Sequence, residues 1–294
     1  GSGANITAHY DLGNDFYQLF LDETMTYSCG VFETDAATLE EASIAKYDRI
    51  CRKLNLGPSD HVLEIGTGWG GFAIHAARHY GCRVTTTTIS PSQYEWAESR
   101  VAEAGLDKRI TLLLADYRDL DGTYDKLVSI EMVEAVGHQF LETFFRCCGR
   151  RLKPDGMMVL QAITIAESVY DRHKRSVDFI KRYIFPGSCI PSLTAMCQAM
   201  AQSTDLRVVH LEDLAPHYAR TLREWRRRFF DNLDQVREMG YSNTFVRMWE
   251  YYFCYCEGGF EERYLGDVQL LITKPFCRSK PILPVLNTPG QKHS

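Results

Sequence analysis

The sequence predicts an α/β fold built on a seven-stranded, mostly parallel sheet with helices on both faces. From residue 61 to 165, short apolar or β-branched runs alternate with segments of helical periodicity, which is the order that yields a parallel sheet. A glycine-rich turn stands at the first strand-to-helix junction of that series. With 294 residues, 45% hydrophobic and 24% charged, the chain is long enough to bury a core without staples.

The elements follow in order. A helix from Leu39 to Leu54 places Ile44, Tyr47, Cys51 and Leu54 on one face and stops at Gly57-Pro58. Strand His61–Ile65, helix Gly70–Tyr80, strand Cys82–Ile89 and helix Pro91–Ala104 come next, the last with Ser90 as cap and proline in its first turn. Strands Ile110–Ala115 and Lys126–Ile130, helix Phe140–Leu152 and strand Met157–Ile165 repeat the pattern. The rhythm then changes: residues 168–204 read as two helices around the Phe185-Pro186-Gly187 break. Strand Leu206–Leu211, helices Leu222–Met239 and Thr244–Cys256, and strand Asp267–Thr273 complete the series. Residues 1–56 read as an N-terminal helical cap and 57–274 as the main domain, with helical insertions at about 166–204 and 216–257. Residues 275–294, with four prolines, read as an extended tail.

A formal charge of −5 argues against nucleic-acid binding. Ten cysteines include no CxxC and no Cys/His spacing of a metal site, which predicts reduced thiols, a cytoplasmic setting and no metal. Gly1-Ser2-Gly3 reads as a cloning scar, because no apolar run of a signal sequence follows it. Tyr183–Thr204 lacks charge over about the length of a membrane span, but Pro186, Gly187 and Pro191 break it and Gln198 and Gln202 are costly in hydrocarbon. It reads as a loop and a short buried or interfacial helix.

Gly66, Gly68 and Gly71 satisfy GxGxxG between a strand and a helix, where free amides and the absence of side chains let a ligand approach the backbone. A nicotinamide site also wants an acid about 20 residues on, and Thr85–Ile89 supplies none. The other owner of a strand, an acid (Glu64) and GxGxG is the Rossmann-like S-adenosylmethionine (SAM) methyltransferase. Thr88–Gln93 and Asp116-Tyr117-Arg118 add polar groups at the carboxyl edge of the sheet, where open α/β sheets bind ligands.

From about His9 to Lys274 the chain resembles the cyclopropane fatty acid and mycolic acid cyclopropane synthases. The resemblance rests on His9-Tyr10-Asp11-Leu12-Gly13-Asn14, Thr26-Tyr27-Ser28-Cys29, Glu64-Ile65-Gly66-Thr67-Gly68-Trp69-Gly70-Gly71, Ser129-Ile130-Glu131-Met132-Val133-Glu134, Tyr183-Ile184-Phe185-Pro186-Gly187, Pro216-His217-Tyr218-Ala219-Arg220 and Gly266-Asp267-Val268-Gln269. It implies methyl transfer from SAM to the double bond of an unsaturated phospholipid acyl chain, through a carbocation deprotonated by a bound bicarbonate. It assigns Tyr27 and Ser28 to the cofactor carboxylate, Glu64, Gly66 and Gly68 to the methionine part, Thr88, Ile89 and Gln93 to the ribose side, and Asp116 and Tyr117 to adenine. Bicarbonate is assigned to Cys29, Glu134, Gln161, Ile163 and Tyr218, with Cys29 and Ile163 contributing backbone. It further implies that longer synthases carry an additional N-terminal domain, and it leaves a homodimer open.

Two departures stand out. Gln161 replaces a family histidine and Ala135 a second one; a glutamine can donate to an anion but cannot shuttle protons. Glu134 can also be read as a cap of the following helix, with Glu131 as its neighbour in one site. Cys29 is not read as a covalent nucleophile, and Cys256 is either a pocket residue or a small buried thiol. The reaction demands an aromatic, water-excluding wall, for which Tyr17, Tyr27, Phe185, Tyr218 and the uncharged 183–204 segment are candidates. Basic clusters at Arg172, Lys174, Arg175, Lys181 and Arg182, and at Arg220, Arg223, Arg226, Arg227 and Arg228, predict peripheral contact with the inner membrane face. A small-molecule N-methyltransferase and a non-catalytic SAM or lipid module are the competing readings.

Overall fold

The computed structural model describes residues 12–283. The His9-Tyr10-Asp11 part of the first motif and the end of the proline-rich tail lie outside the described residues. Helix α1 (Asn14–Gln18) opens the described chain, and α2 (Leu39–Lys53) starts at a full capping box, with Thr38 and Glu41 satisfying each other's backbone amides. The buried stripe of α2 runs through Leu39, Ala42, Lys46 and Ile50 with Tyr47 and Cys51 beside it, and Ile44 is exposed. Tyr47, Cys51 and Leu54 are thus buried as expected, Ile44 is not, and the buried face contains a lysine.

The core alternation is β1 (His61–Ile65), α3 (Gly71–Tyr80), β2 (Arg83–Thr88), α4 (Pro91–Glu103), β3 (Ile110–Leu114) and β4 (Tyr124–Ile130). Next come the short α5 (Val133–Val136), α6 (Leu141–Arg151), β5 (Leu152–Ile165), α7 (Glu167–His173), a π turn at Ile180–Ile184 and α8 (Leu193–Ser203). Strand β6 (Arg207–Asp213), α9 (Ala215–Asp231), α10 (Leu233–Glu238), α11 (Asn243–Glu261) and β7 (Leu265–Thr273) close the chain.

The sheet order is β3-β2-β1-β4-β5-β7-β6, parallel except that β7 runs against both neighbours. Because the order reverses between β1 and β4, their carboxyl ends diverge and leave a crevice, the usual ligand position of an open α/β sheet. Two apolar clusters cover the sheet faces, one around Phe144, Phe145 and Met196, the other around Phe72, Ile50 and Val84. A third cluster joins the N-terminal segment to α9 and α11 through Phe16, Tyr17, Phe20, Trp225, Trp249 and Phe253.

Several boundaries differ from the sequence expectation. Gly137, at φ +86°, separates α5 from α6, so Glu134 sits inside its own short helix and caps nothing. Helix α8 buries Met196, Ala199 and Met200 against the α6 face of the sheet, so the uncharged segment beyond residue 192 is sheet cover, not acyl-chain lining. Helix α9 begins at Ala215 and carries Tyr218 in its first turn.

Candidate active site

A single cavity of about 900 Å³ opens at the β1/β4 crevice, and every residue assigned to the cofactor lines it: Tyr27, Ser28, Glu64, Gly66, Gly68, Thr88, Ile89, Gln93, Asp116 and Tyr117. The loop after β1 turns back so that Gly66 N and Thr67 N both donate to Thr87 O, with Gly66 at φ +102°. A Cβ on Gly71 would lie 2.5 Å from Tyr47 Oη, so a side chain there would push α2 away from the glycine turn. Trp69 Nε1 donates to Asn14 Oδ1 at 2.7 Å, and Arg100 donates to Thr24 O and Trp69 O, which ties the N-terminal segment over the turn.

The threonine run of β2 has a distinct task at each position. Thr86 donates to Glu64 Oε2 at 2.6 Å, Thr87 to Ala115 O at 2.5 Å and Thr88 to Gln93 Oε1 at 3.0 Å, while Thr85 pairs with the His61 ring. Burial pushes the Glu64 carboxyl up to about 8 despite the Thr86 bond. Asp116 is engaged by Arg118, which donates two guanidinium bonds and its backbone amide, so its carboxylate is tied back at the cavity wall.

On the other side of the crevice lies a cluster of three carboxyl groups, the half-buried Glu131 and the buried Glu134 and Asp267, with the buried Lys46 as the cation that Glu131 and Asp267 feel. Glu131 is the hub. Its Oε1 accepts from Cys29 N and from Gln161 Nε2, both at 2.8 Å, and its Oε2 accepts from Tyr218 Oη at 2.6 Å. It does this from φ +48°, a left-handed conformation that costs a non-glycine residue about 1–2 kcal/mol. Glu134 Oε1 accepts from Ile163 N at 2.5 Å, and its Oε2 has no partner among the described residues. Burial, with the Glu131 charge adding to it, pushes Glu134 up to about 8.

The β5–β7 register places Gln161 opposite Gln269 and Ile163 opposite Asp267. Gln269 Nε2 donates to Gln161 Oε1 at 2.9 Å, Lys53 Nζ donates to Gln269 Oε1 at 2.7 Å, and Lys53 also pairs with Glu212. The Gln161 amide nitrogen faces Glu131, with Asp267 Oδ2 at 3.2 Å and Cys29 O at 3.4 Å. Burial and the Glu131 and Glu134 charges raise Asp267 well above the carboxylate range. Burial lowers Lys46, whose ammonium donates to Ser28 Oγ at 2.6 Å.

This arrangement corrects the bicarbonate expectation. The donors assigned to that ion are already spent: Cys29 N, Gln161 Nε2 and Tyr218 Oη on Glu131, and Ile163 N on Glu134. An additional anion would have to join three neighbouring carboxyls, two of them buried, and the residues do not fit it. Cys29 and Gln161 stand behind the wall, whereas Glu131, Glu134, Ile163 and Tyr218 line the cavity. The Cys29 thiol is buried and its pKa is raised well above normal by burial and then by Asp267 and Glu131, the opposite of an activated nucleophile.

The remaining wall is aromatic and apolar: Tyr27, Phe185, Ile190, Tyr252, Phe260 and Leu265 line it, and Tyr218 stacks on Phe260 at 4.4 Å. Cys256 is also at the wall. Tyr17 is fully buried beneath Tyr27 and Trp69 and supports the wall without facing the cavity.

The second basic cluster is structural, not a free patch. Arg223 and Arg226 pair with Glu257, Arg227 with Glu224 and Asp231, and Arg220 and Arg228 donate to backbone carbonyls of the N-terminal segment. In the first cluster Lys174 pairs with Asp171 and Lys181 donates to the carbonyls of His173 and Ser176, leaving Arg172, Arg175 and Arg182 exposed next to Val177 and Tyr183.

Lys46, Glu131 and Asp267 are the residues that sequence reasoning underweighted. The available signal was a lysine on the apolar stripe of α2 and an acid at the strand-end position of a glycine-like turn.

Fold and cavity together define a protein of the Rossmann-like, SAM-dependent methyltransferase class. The family model for mycolic acid cyclopropane synthetase matches residues 2–270, and the chain belongs to that family. It is 43% identical over 272 residues to the tuberculostearic acid methyltransferase UfaA1 of Mycobacterium tuberculosis, covering 90% of this chain and 64% of that one. It is 41% identical over 266 residues to the cyclopropane-fatty-acyl-phospholipid synthase of Escherichia coli, covering 89% and 65%. The chain thus spans just under two thirds of the length of these two relatives. The solved structure of the mycolic acid cyclopropane synthase CmaA1 complexed with SAH and CTAB superposes with a TM-score of 0.87 at 34% identity, covering 93% of this chain and 99% of that one.

Proposed function

We propose that this chain transfers a methyl group from SAM to the double bond of an unsaturated acyl chain carried by a phospholipid. The observation that carries the reading is the continuity of the cavity: the glycine turn and its polar residues line one half, the aromatic wall the other, and Glu131 and Glu134 lie between them. The residues present fit SAM, because the Gly66–Gly68 turn leaves the backbone bare and Glu64, Gln93 and Ser28 offer polar groups at the same wall. When bound, SAM supplies an electrophilic methyl on a sulfonium.

The chain's own residues do the rest. Tyr27, Phe185, Tyr252 and Phe260 exclude water from a developing cation, and each ring face can stabilise it by about 0.5–2 kcal/mol. The Glu131 carboxylate, held by three hydrogen bonds at the cavity wall, sets a negative charge beside that position. Loss of a proton from the alkylated chain gives a cyclopropane or a methylene product. A saturated methyl branch needs a reductant in addition.

The exposed Val177 and Tyr183 beside Arg172, Arg175 and Arg182 suit peripheral contact with an anionic bilayer, and Arg172 and Lys181 also line the cavity. Among the described residues no helix is long and apolar enough to cross a membrane.

The test is incubation with labelled SAM and vesicles of monounsaturated phospholipid, followed by mass spectrometry of the acyl chains. A gain of one CH₂ is the expected result, and NMR separates ring from methylene. Absence of label from every unsaturated lipid, with SAM still bound, would reject the reading.

A further inference from the structure

We propose that Glu131 is the proton acceptor of the reaction, its carboxylate standing on the donors that would hold a bicarbonate ion, so that turnover needs no external anion. The inference rests on the acyl methyl-transfer reading above.

Three observations converge on it. First, Glu131 is bound as an anion would be: a backbone amide and a side-chain amide at 2.8 Å on one oxygen, a phenol at 2.6 Å on the other, with the carboxylate at the cavity wall. A carboxylate and a bicarbonate share the planar pair of acceptor oxygens that such a donor set recognises. Second, the side chain reaches that position only because the backbone holds φ +48°, where a glycine would be at ease. Strain retained at the wall of a ligand cavity points to function. Third, Gln161 matches this acid. Its NH₂ group hydrogen-bonds the carboxylate and carries no proton that titrates, so the proton-accepting role rests with the glutamate.

The neighbouring carboxyls are poorer candidates. Asp267 does not line the cavity. Glu134 has one donor on one oxygen and none on the other among the described residues, and burial keeps its proton on near neutrality. Burial raises Glu131 too, but three hydrogen bonds and the Lys46 charge pull against it. Two adjacent carboxyls with unequal environments divide naturally into one that keeps a proton and one that takes one.

The step balances without a co-reactant. The methyl carbon bonds to one alkene carbon as its bond to sulfur breaks, leaving a neutral thioether and a cation on the other alkene carbon. A C–H bond of the transferred methyl then breaks, its electron pair closes the ring, and the proton passes to the Glu131 carboxylate. After product leaves, that proton returns to solvent through the open cavity.

The experiment compares wild type, Glu131→Gly and Glu131→Gln in buffer stripped of carbon dioxide and in buffer with millimolar bicarbonate. Wild-type turnover is expected to be the same in both. Glu131→Gln should lose about 10²–10⁴-fold in both, the usual contribution of a general base. Glu131→Gly suits the backbone, so it should fold and bind SAM. It should be inactive in stripped buffer and recover with bicarbonate. Line broadening of ¹³C-bicarbonate should appear with Glu131→Gly and not with wild type. A wild type that needs bicarbonate, a Glu131→Gln variant with most of the wild-type rate, or a Glu131→Gly variant that binds no bicarbonate overturns the proposal. If no lipid is methylated under any condition, the acyl-transfer reading fails, while the NMR comparison still decides whether Glu131 occupies an anion site.

Discussion

Glu134→Gln gives a quantitative test of the buried acid cluster. Glu134 is held up to about 8 by burial and by the neighbouring Glu131 charge, against an ordinary value of 4.5. Between those two pH values the unfolded chain has released this proton and the folded chain has kept it. Stability therefore falls as pH rises, by about 1.4 kcal/mol per pH unit for one such group, and the contribution is fully present only below 4.5. Glutamine keeps the oxygen that accepts from Ile163 N, which is at 2.5 Å in the native protein, and removes the titration. The variant should thus show a shallower decline in melting temperature between pH 5 and 8, by about 3–6 °C per pH unit at about 2–4 °C per kcal/mol for a chain of this size. The assay is a set of thermal melts by circular dichroism across that range, with SAM affinity by calorimetry as a check on the site. Parallel pH slopes for variant and wild type would refute the argument that Glu134 is buried with its proton on.

Other perturbations test other parts of the molecule. Gly71→Ala puts a Cβ against Tyr47 Oη, and should destabilise by about 1–3 kcal/mol in urea unfolding and weaken SAM binding; unchanged values would show that the α2 contact is slack. Glu212 is held at about 2 because the Arg49 and Lys53 hydrogen bonds outweigh burial, so its contribution is present above 4.5 and lost as pH falls toward 2. Glu212→Gln should remove that acid limb and cost about 1–3 kcal/mol at neutral pH, read by denaturant titration at both ends of the range. Arg175→Gln with Arg182→Gln should weaken binding to anionic vesicles roughly thirtyfold, at about 1 kcal/mol each, with neutral vesicles as control; equal pelleting would place membrane contact elsewhere.

The sheet and the glycine-turn half of the cavity were legible because they rest on local signals. Alternating apolar runs, a Ser90 cap and glycines beside a strand depend on residues near one another in the chain, and each strand appears near where its pattern indicates, with β5 starting at Leu152 instead of Met157. The carboxyl cluster depends on contacts between positions far apart. Glu131, Gln161, Tyr218 and Asp267 meet only after β4, β5, α9 and β7 are assembled, and no spacing announces that these acids share one glutamine. Motif position drew attention to Glu134, whereas hydrogen-bond geometry makes Glu131 the better-held carboxylate. The arginines of α9 misled for a similar reason: their partners on α11 and in the N-terminal segment are distant in sequence, so paired charges looked like a free surface.

The amide row across β5 and β7 has a polarity. A lysine ammonium can only donate, so Lys53 requires the oxygen of Gln269 to face it; Gln269 must then present its NH₂ to Gln161, and Gln161 its NH₂ to Glu131. Neither amide can turn round alone without setting two donors or two acceptors against each other. A cation close to the outer edge of the sheet thus dictates, two side chains away, that the acid in the cavity meets a hydrogen-bond donor. Substitutions at Lys53 can reverse that row and disturb the Glu131 carboxylate without touching the cavity.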